Sequence, residues 1–201
     1  MAKLIVVEGM DGAGTTTQTK LLVDYLNHQG MKVLSSAEPT KSSLGLAARK
    51  FLASPIENEP HLLTALALCF AADRMQHIYD VLEPALKTHD FIVLDRYVLS
   101  SLVYQGLHLP TTFVKEINRY ALVPHLTIVL DVNARVAFER LSGRNGKKDF
   151  YESADLLEKI KARYIHFAGQ DPAHTVLVDA SGDISQVHSH IVHLFKSKYK
   201  V

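Results

Sequence analysis

Residues 9–18 read Gly9-Met10-Asp11-Gly12-Ala13-Gly14-Thr15-Thr16-Thr17-Gln18, a run whose spacing suits the capture of an anion. Glycines at 9, 12 and 14 let consecutive backbone N–H groups converge on a phosphate at the start of a helix, where the helix dipole adds to the attraction. Ala13, Thr15 and Thr17 belong to the same cradle. Thr16 falls where a phosphate-binding loop keeps the hydroxyl that holds Mg²⁺. The usual pattern is G-x-x-x-x-G-K-[ST], and Thr15 occupies the lysine position. One point charge toward the terminal phosphates is therefore missing. An ordinary glycine-rich turn between a strand and a helix is the plainer alternative for such a loop taken alone.

Three further groupings carry chemistry. Asp95-Arg96-Tyr97 closes an apolar run. An acid at that place reaches Mg²⁺ or accepts a proton from an attacking oxygen, and Arg96 offers a planar fork for a phosphate. A purely structural Asp–Arg pair at a strand end is the alternative. Phe70 and Arg74 lie four apart and share a helix face, a ring with a guanidinium one turn away. That combination suits stacking and edge-on hydrogen bonding of a flat base, although a core phenylalanine beside a surface arginine is the commoner pattern. Ser101, Tyr104 and Gln105 follow at i, i+3 and i+4 and make one polar face just after Asp95.

These residues need a scaffold that gathers strand ends. Apolar runs recur at 4–7, 32–35, 91–94, 126–130 and 175–178, and three of them are followed by Asp95, Asp131 and Asp179. Helices are expected at 16–28, 44–53, 60–87, 99–107, 112–121, 133–141, 154–168 and 184–198, with Pro84 kinking or ending the longest. Strands of this type separated by helices make an α/β fold, a five-stranded parallel sheet with helices on both faces. Ligands then sit at the carboxyl ends of the strands. The run Ser142-Gly143-Arg144-Asn145-Gly146-Lys147-Lys148-Asp149 holds three cations and two glycines. It reads as a mobile basic lid over about 141–152, or as a plain solvated connection.

With 201 residues one domain is expected over 1–201, and the net charge of +1 argues against a general nucleic-acid or membrane surface. The single cysteine, Cys69, excludes an intrachain disulfide and makes the cytoplasm the expected compartment. It sits in an apolar stretch and is expected to be buried and inert. No apolar run reaches membrane-spanning length, and the opening residues enter a strand without a leader pattern. The eleven histidines lack zinc-ligand spacing.

Taken together, the blocks Val7-Glu8-Gly9-Met10-Asp11-Gly12-Ala13-Gly14, Glu38-Pro39-Thr40, Phe70-Ala71-Ala72-Asp73-Arg74-Met75-Gln76-His77, and Asp95-Arg96-Tyr97 with Ser100-Ser101 and Tyr104-Gln105-Gly106 resemble the thymidylate kinases, over residues 3 to about 187. The resemblance implies phosphorylation of dTMP by ATP with Mg²⁺, and a homodimer. It assigns Phe70 to stacking on thymine, Arg74 to the base edge, and Ser101 and Gln105 to the rest of the base pocket. Tyr104 would lie against the 2′ carbon, Asp11 near the 3′ side while orienting Arg96, Arg96 on the acceptor phosphate, and Asp95 with Thr16 at Mg²⁺. Relatives that carry an arginine inside the phosphate loop have it at Gly12. Its absence implies the bacterial subtype, in which Arg144 of the lid supplies the catalytic cation. The chain departs from the family at Thr15, at Ala37 and at Asp149-Phe150. The alternatives are a kinase for another deoxynucleotide, and a nucleotide-binding homologue with impaired transfer.

Overall fold

The computed structural model describes residues 1–53, 59–142 and 154–199. Five strands, β1 (Lys3–Gly9), β2 (Val33–Ala37), β3 (Phe91–Asp95), β4 (Leu126–Asp131) and β5 (Thr175–Asp179), form an all-parallel sheet in the order β2-β3-β1-β4-β5. Alternating side chains commit β1 to two separate cores. Ile5 and Val7 pack with Val93, Ile128, Leu22 and Leu26 on one face. Leu4 and Val6 pack with Ile92, Leu94, Ile78 and Leu82 on the other. Such double-sided burial is what near-continuous Val/Ile/Leu strands predict. Asp95, Asp131 and Asp179 all end their strands on one rim.

Around the sheet run α1 (Thr15–His28), α2 (Ser43–Leu52), α3 (Pro60–His77), α4 (Glu83–Leu86), α5 (Val98–Tyr104), α6 (Thr111–Ile117), α7 (Ala134–Ser142), α8 (Ala154–Gln170) and α9 (Ile184–Tyr199). The expected 60–87 helix continues through a π-helical turn, Ile78–Leu82, before α4. Pro84 has no N–H to give to the residue four back, and the widened turn absorbs the mismatch. The expected 99–107 helix tightens into a 3₁₀ turn at Gln105–Leu107, and the 112–121 helix stops at Ile117. The expected strand 32–35 lies further along, at Val33–Ala37, paired with Phe91–Asp95. Cys69 is half-buried, not fully buried, at the edge of the small apolar cluster of Ala48, Leu63 and Leu66.

The loop after β2 is tied to α3 by a buried acid. Asp73 accepts hydrogen bonds from Thr40 N at 2.7 Å, Thr40 Oγ1 at 2.5 Å and Ser42 Oγ at 2.8 Å. Ser42 in turn caps α2 by accepting from Gly45 N at 3.1 Å. Replacing Asp73 with Ala strands these donors, each orphaned group costing about 1–3 kcal/mol. Urea unfolding of Asp73→Ala is expected to show a loss of at least about 1 kcal/mol, and a curve superposable on that of the parent chain would contradict this role.

Candidate active site

The phosphate loop lies between β1 and α1 at the centre of the carboxyl rim. Gly12 and Gly14 have φ of 83° and 94°, the left-handed region that favours glycine. Gly12 is doubly constrained, because a Cβ there would meet the Ala137 carbonyl oxygen of α7 at 2.5 Å. Thr16, in the first turn of α1, donates its hydroxyl to Asp95 Oδ2 at 2.5 Å. The register of β1 against β3 brings Val7 opposite Asp95 and so sets these two groups together. Asp95 Oδ1 is buried and has no partner among the described residues.

A cavity of about 390 Å³ opens beside this pair. Asp11, Thr16, Phe70, Arg74, Asp95 and Arg96 line it, and so do Ser101, Tyr104 and Gln105. Nine of the residues that the sequence marks as chemical thus meet in one space. A second cavity of about 660 Å³ lies across the phosphate loop, bounded by Gly12, Ala13, Gly14 and Thr17 and by Arg140, Ala180 and Gly182. Gly9 ends β1 behind the loop, and Thr15 is buried in the first turn of α1. Arg144 lies outside the described residues, as does the whole expected lid from 143 onward together with Asp149 and Phe150.

Arg96 is held in an unusual way. Its backbone has φ of 70°, a left-handed conformation that is strained for a bulky side chain. The guanidinium pairs with Asp11 Oδ1 through Nη2 at 2.7 Å and donates from Nη1 to Gly9 O at 2.8 Å. Tyr104 presents its ring 5.4 Å from the guanidinium carbon and its hydroxyl to Asp11 Oδ2 at 3.1 Å. Burial works against the Arg96 charge, but the surrounding Tyr104, Asp11, Tyr164 and Glu8 outweigh it and raise its pKa well above the ordinary value. The guanidinium is a fixed cation. Burial likewise pushes the Tyr104 phenol far up, so it stays a neutral donor.

Arg74 is still more enclosed, with only 1% of its surface exposed. Nε pairs with Glu38 Oε2 at 2.8 Å, Nη1 donates to Asn118 Oδ1, and Nη1 and Nη2 share Ser101 Oγ at 3.3 and 3.2 Å. Tyr97 stacks beneath it with its ring centroid 5.0 Å away. His77 takes the other Glu38 oxygen at 3.0 Å and reaches Ser36 Oγ at 2.8 Å. Five N–H groups belong to a guanidinium. Glu38, Asn118 and Ser101 leave at least one Nη2 N–H for a ligand among the described residues. Gln105 Oε1, also lining the cavity, is buried and unpartnered there.

Glu38, Asn118 and Arg140 escape a motif-level reading. Glu38 carried a signal, since its block was distinctive, but the partner that gives it a purpose lies 36 residues away. Arg140 donates to Gly12 O at 3.3 Å and to Ala180 O at 3.3 Å, closing the second cavity, and nothing in its helical surroundings marks it.

The model of one family, thymidylate kinase, matches residues 7–191. The chain belongs to the thymidylate kinase family. A probable thymidylate kinase of Thermococcus onnurineus is 34% identical over 196 residues, spanning 94% of this chain and 95% of the relative. One from Pyrococcus horikoshii is 36% identical over 195 residues, 96% and 95% of the two chains. The thymidylate kinase of Symbiobacterium thermophilum is 35% identical over 196 residues, 95% and 91%. The chain is accordingly a nucleotide-binding kinase that uses ATP. Among the described residues no helix is long and apolar enough to cross a membrane.

The tight approach of Gly12 to α7 generates a test. Gly12→Ala combines a left-handed backbone penalty of about 1–2 kcal/mol with a collision against a carbonyl oxygen. It is expected to raise the KM for ATP by about tenfold or more while leaving affinity for dTMP nearly unchanged. Equal weakening of both nucleotides in a binding titration would show that the loop does not act on one side of the site alone.

Proposed function

We propose that this thymidylate kinase transfers the γ-phosphoryl group of ATP to dTMP, giving dTDP, with the acceptor in the Phe70–Arg74–Arg96 cavity and ATP across the phosphate loop. Phosphorylation of dTMP follows from the family itself. The observation that carries the residue assignment is that Arg74 and Arg96, each held by its own partners, line one cavity of about 390 Å³ together with Phe70, Ser101, Tyr104 and Gln105. Arg74, already fixed by Glu38 and Asn118, offers its free N–H to the O4 edge of thymine, with Phe70 stacking on the ring and Ser101 and Gln105 completing the pocket. Tyr104 stands against the sugar and Asp11 near its 3′ side. Arg96 clamps the monophosphate and aims its oxygen at the γ-phosphate, and such positioning supplies much of the catalysis in phosphoryl transfer.

Across the loop, the N–H groups from Gly12 to Thr17 cradle the ATP phosphates, and Arg140 with Ala180 and Gly182 bounds space for the purine. Thr16 Oγ1 and the unpartnered Asp95 Oδ1 suit a hard cation that prefers oxygen. They would hold Mg²⁺, which neutralises charge building on the phosphates. Thr15 leaves the loop without its lysine, and Gly12 has no room for a side chain. Both features support the lid-arginine subtype, with Arg144 as the catalytic cation. A homodimer is supported by α2 and α3, which pack on each other yet leave Leu46, Leu62 and Leu68 43–49% exposed. A helix that is apolar on its outer face as well as its inner one calls for a partner.

The assignment of Arg96 is tested by steady-state kinetics. Arg96→Ala is expected to lower kcat/KM for dTMP by about 10²-fold or more while the KM for ATP changes little, the scale of losing an oriented phosphate clamp. Arg96→Lys is expected to restore only part of this, because an ammonium lacks the planar fork. Full recovery with lysine would rule out bidentate binding.

A further inference from the structure

Beside Arg96 lies a carboxylate that lines neither of the two cavities. Glu8, near the end of β1, is completely buried. Its Oε1 accepts the backbone N–H groups of Tyr97 at 2.8 Å and Ser100 at 3.1 Å. Its Oε2 accepts the Ser100 hydroxyl at 2.6 Å and the Tyr164 hydroxyl of α8 at 3.1 Å. Those two hydroxyls, with their protons turned toward Glu8, keep lone pairs for Arg96 Nη1, which approaches them at 3.2 and 3.3 Å. Glu8 therefore meets the guanidinium through two hydroxyl bridges and makes no direct ion pair with it.

Tyr164 comes from a different part of the fold, and its place is set separately. The adjacent Arg163 pins α8 to the end of α5, donating to Val103 O at 2.9 Å and Leu102 O at 2.7 Å. Gly106 accommodates that contact, since a Cβ there would lie 2.2 Å from Arg163 Nη2. The Tyr164 hydroxyl has three polar neighbours, Ser100 Oγ at 3.0 Å, Glu8 Oε2 and Arg96 Nη1; Ser100 already gives its proton to Glu8, and the charge pattern decides the direction of the rest. Tyr164 donates to the anion and accepts from the cation. Burying an ionised acid is costly unless it is hydrogen-bonded and paired. A neutral side chain could accept the same two backbone N–H groups, so the charge itself calls for a purpose.

We infer that Glu8 and Tyr164 are positioning residues for the acceptor phosphate: Glu8 acts through the Ser100 and Tyr164 hydroxyls to fix the Arg96 guanidinium between a buried counter-charge and Asp11. The inference rests on the reading of Arg96 as the phosphate clamp. Asp11 holds Nη2 and Gly9 O accepts from Nη1, but neither brings a negative charge to the Nη1 side of the fork. The hydroxyl bridges add that link at Nη1 and so tighten the plane in which both nitrogens meet a phosphate. The pull of Glu8 also offsets the strained backbone that delivers Arg96 to the cavity.

The test compares binding of thymidine with that of dTMP by calorimetry, because the two ligands differ only in the phosphate. The ratio of their Kd values reports what the clamp contributes. Tyr164→Phe removes one bridge without changing the ring, and Glu8→Gln keeps acceptors for both backbone N–H groups while deleting the charge. Each is expected to shrink the thymidine-to-dTMP ratio by about tenfold, the scale of one charge-assisted hydrogen bond, with the Kd for thymidine unchanged. A ratio equal to that of the parent chain in both variants overturns the inference. So does an equal loss of affinity for both ligands, which marks a merely structural role. Arg96→Ala serves as the reference: if that variant leaves the ratio intact, the clamp reading itself falls, and the inference falls with it for that separate reason.

Discussion

Two largely enclosed guanidinium groups, Arg74 and Arg96, share one cavity with the exposed Arg49, and a cation withdrawn from water must be given counter-charge and hydrogen bonds by the fold. Much of the architecture around the site answers that demand. Arg74 is met by Glu38, Asn118, Ser101 and the ring of Tyr97. Arg96 is met by Asp11, by Gly9 O and by the ring of Tyr104. Each set draws on elements far apart in the chain, which the parallel sheet brings to one rim. Removing Glu38 would leave the Arg74 charge without compensation, a change that typically costs about 3–5 kcal/mol for a buried pair, whereas Asp11 and Arg96 keep some contact with water. The arginines are therefore in position before any ligand arrives, and binding need not order them.

The other side of the site is built from backbone instead of charge. Gly12 and Gly14 turn the loop, Gly12 lies against α7 with no space for a side chain, and α1 begins at Thr15. With threonine in the lysine position, the attraction there comes from N–H groups and the helix dipole, both of which are fixed by the fold. Of the arginines described at the site, Arg49, Arg74 and Arg96 line the first cavity and Arg140 lines the second.

The parts legible in the sequence are those in which local spacing dictates geometry. Glycines in the loop, aspartates ending strands, and the i, i+4 pair Phe70–Arg74 all follow from backbone periodicity, and the structure brings Asp95, Phe70 and Arg74 into one cavity with Gly12 and Gly14 beside the second. The five-strand parallel sheet was legible for the same reason, since apolar runs between helices leave little alternative. What local spacing does not encode is partnership. Arg74 finds Asn118 at a separation of 44 residues, and Glu8 finds Tyr164 at 156. Either glutamate, seen alone, is one more acid in a chain with 21. The π-helical turn before Pro84 and the half-buried position of Cys69 on α3 depend on neighbours in the same way.

The central claim is that Arg74, locked by its own partners, offers a fixed donor to a carbonyl on the base. Discrimination between bases then follows from the cost of leaving a buried polar group unpaired, about 1–3 kcal/mol or on the order of 10–100-fold. The most direct measurement is a coupled assay of ADP release with each of the four deoxynucleoside monophosphates as acceptor. The account predicts that dTMP is phosphorylated with a kcat/KM at least about tenfold above that of dCMP, whose amino group would face the donor. Equal turnover of dTMP and dCMP, or ADP release that does not depend on the acceptor, would contradict it.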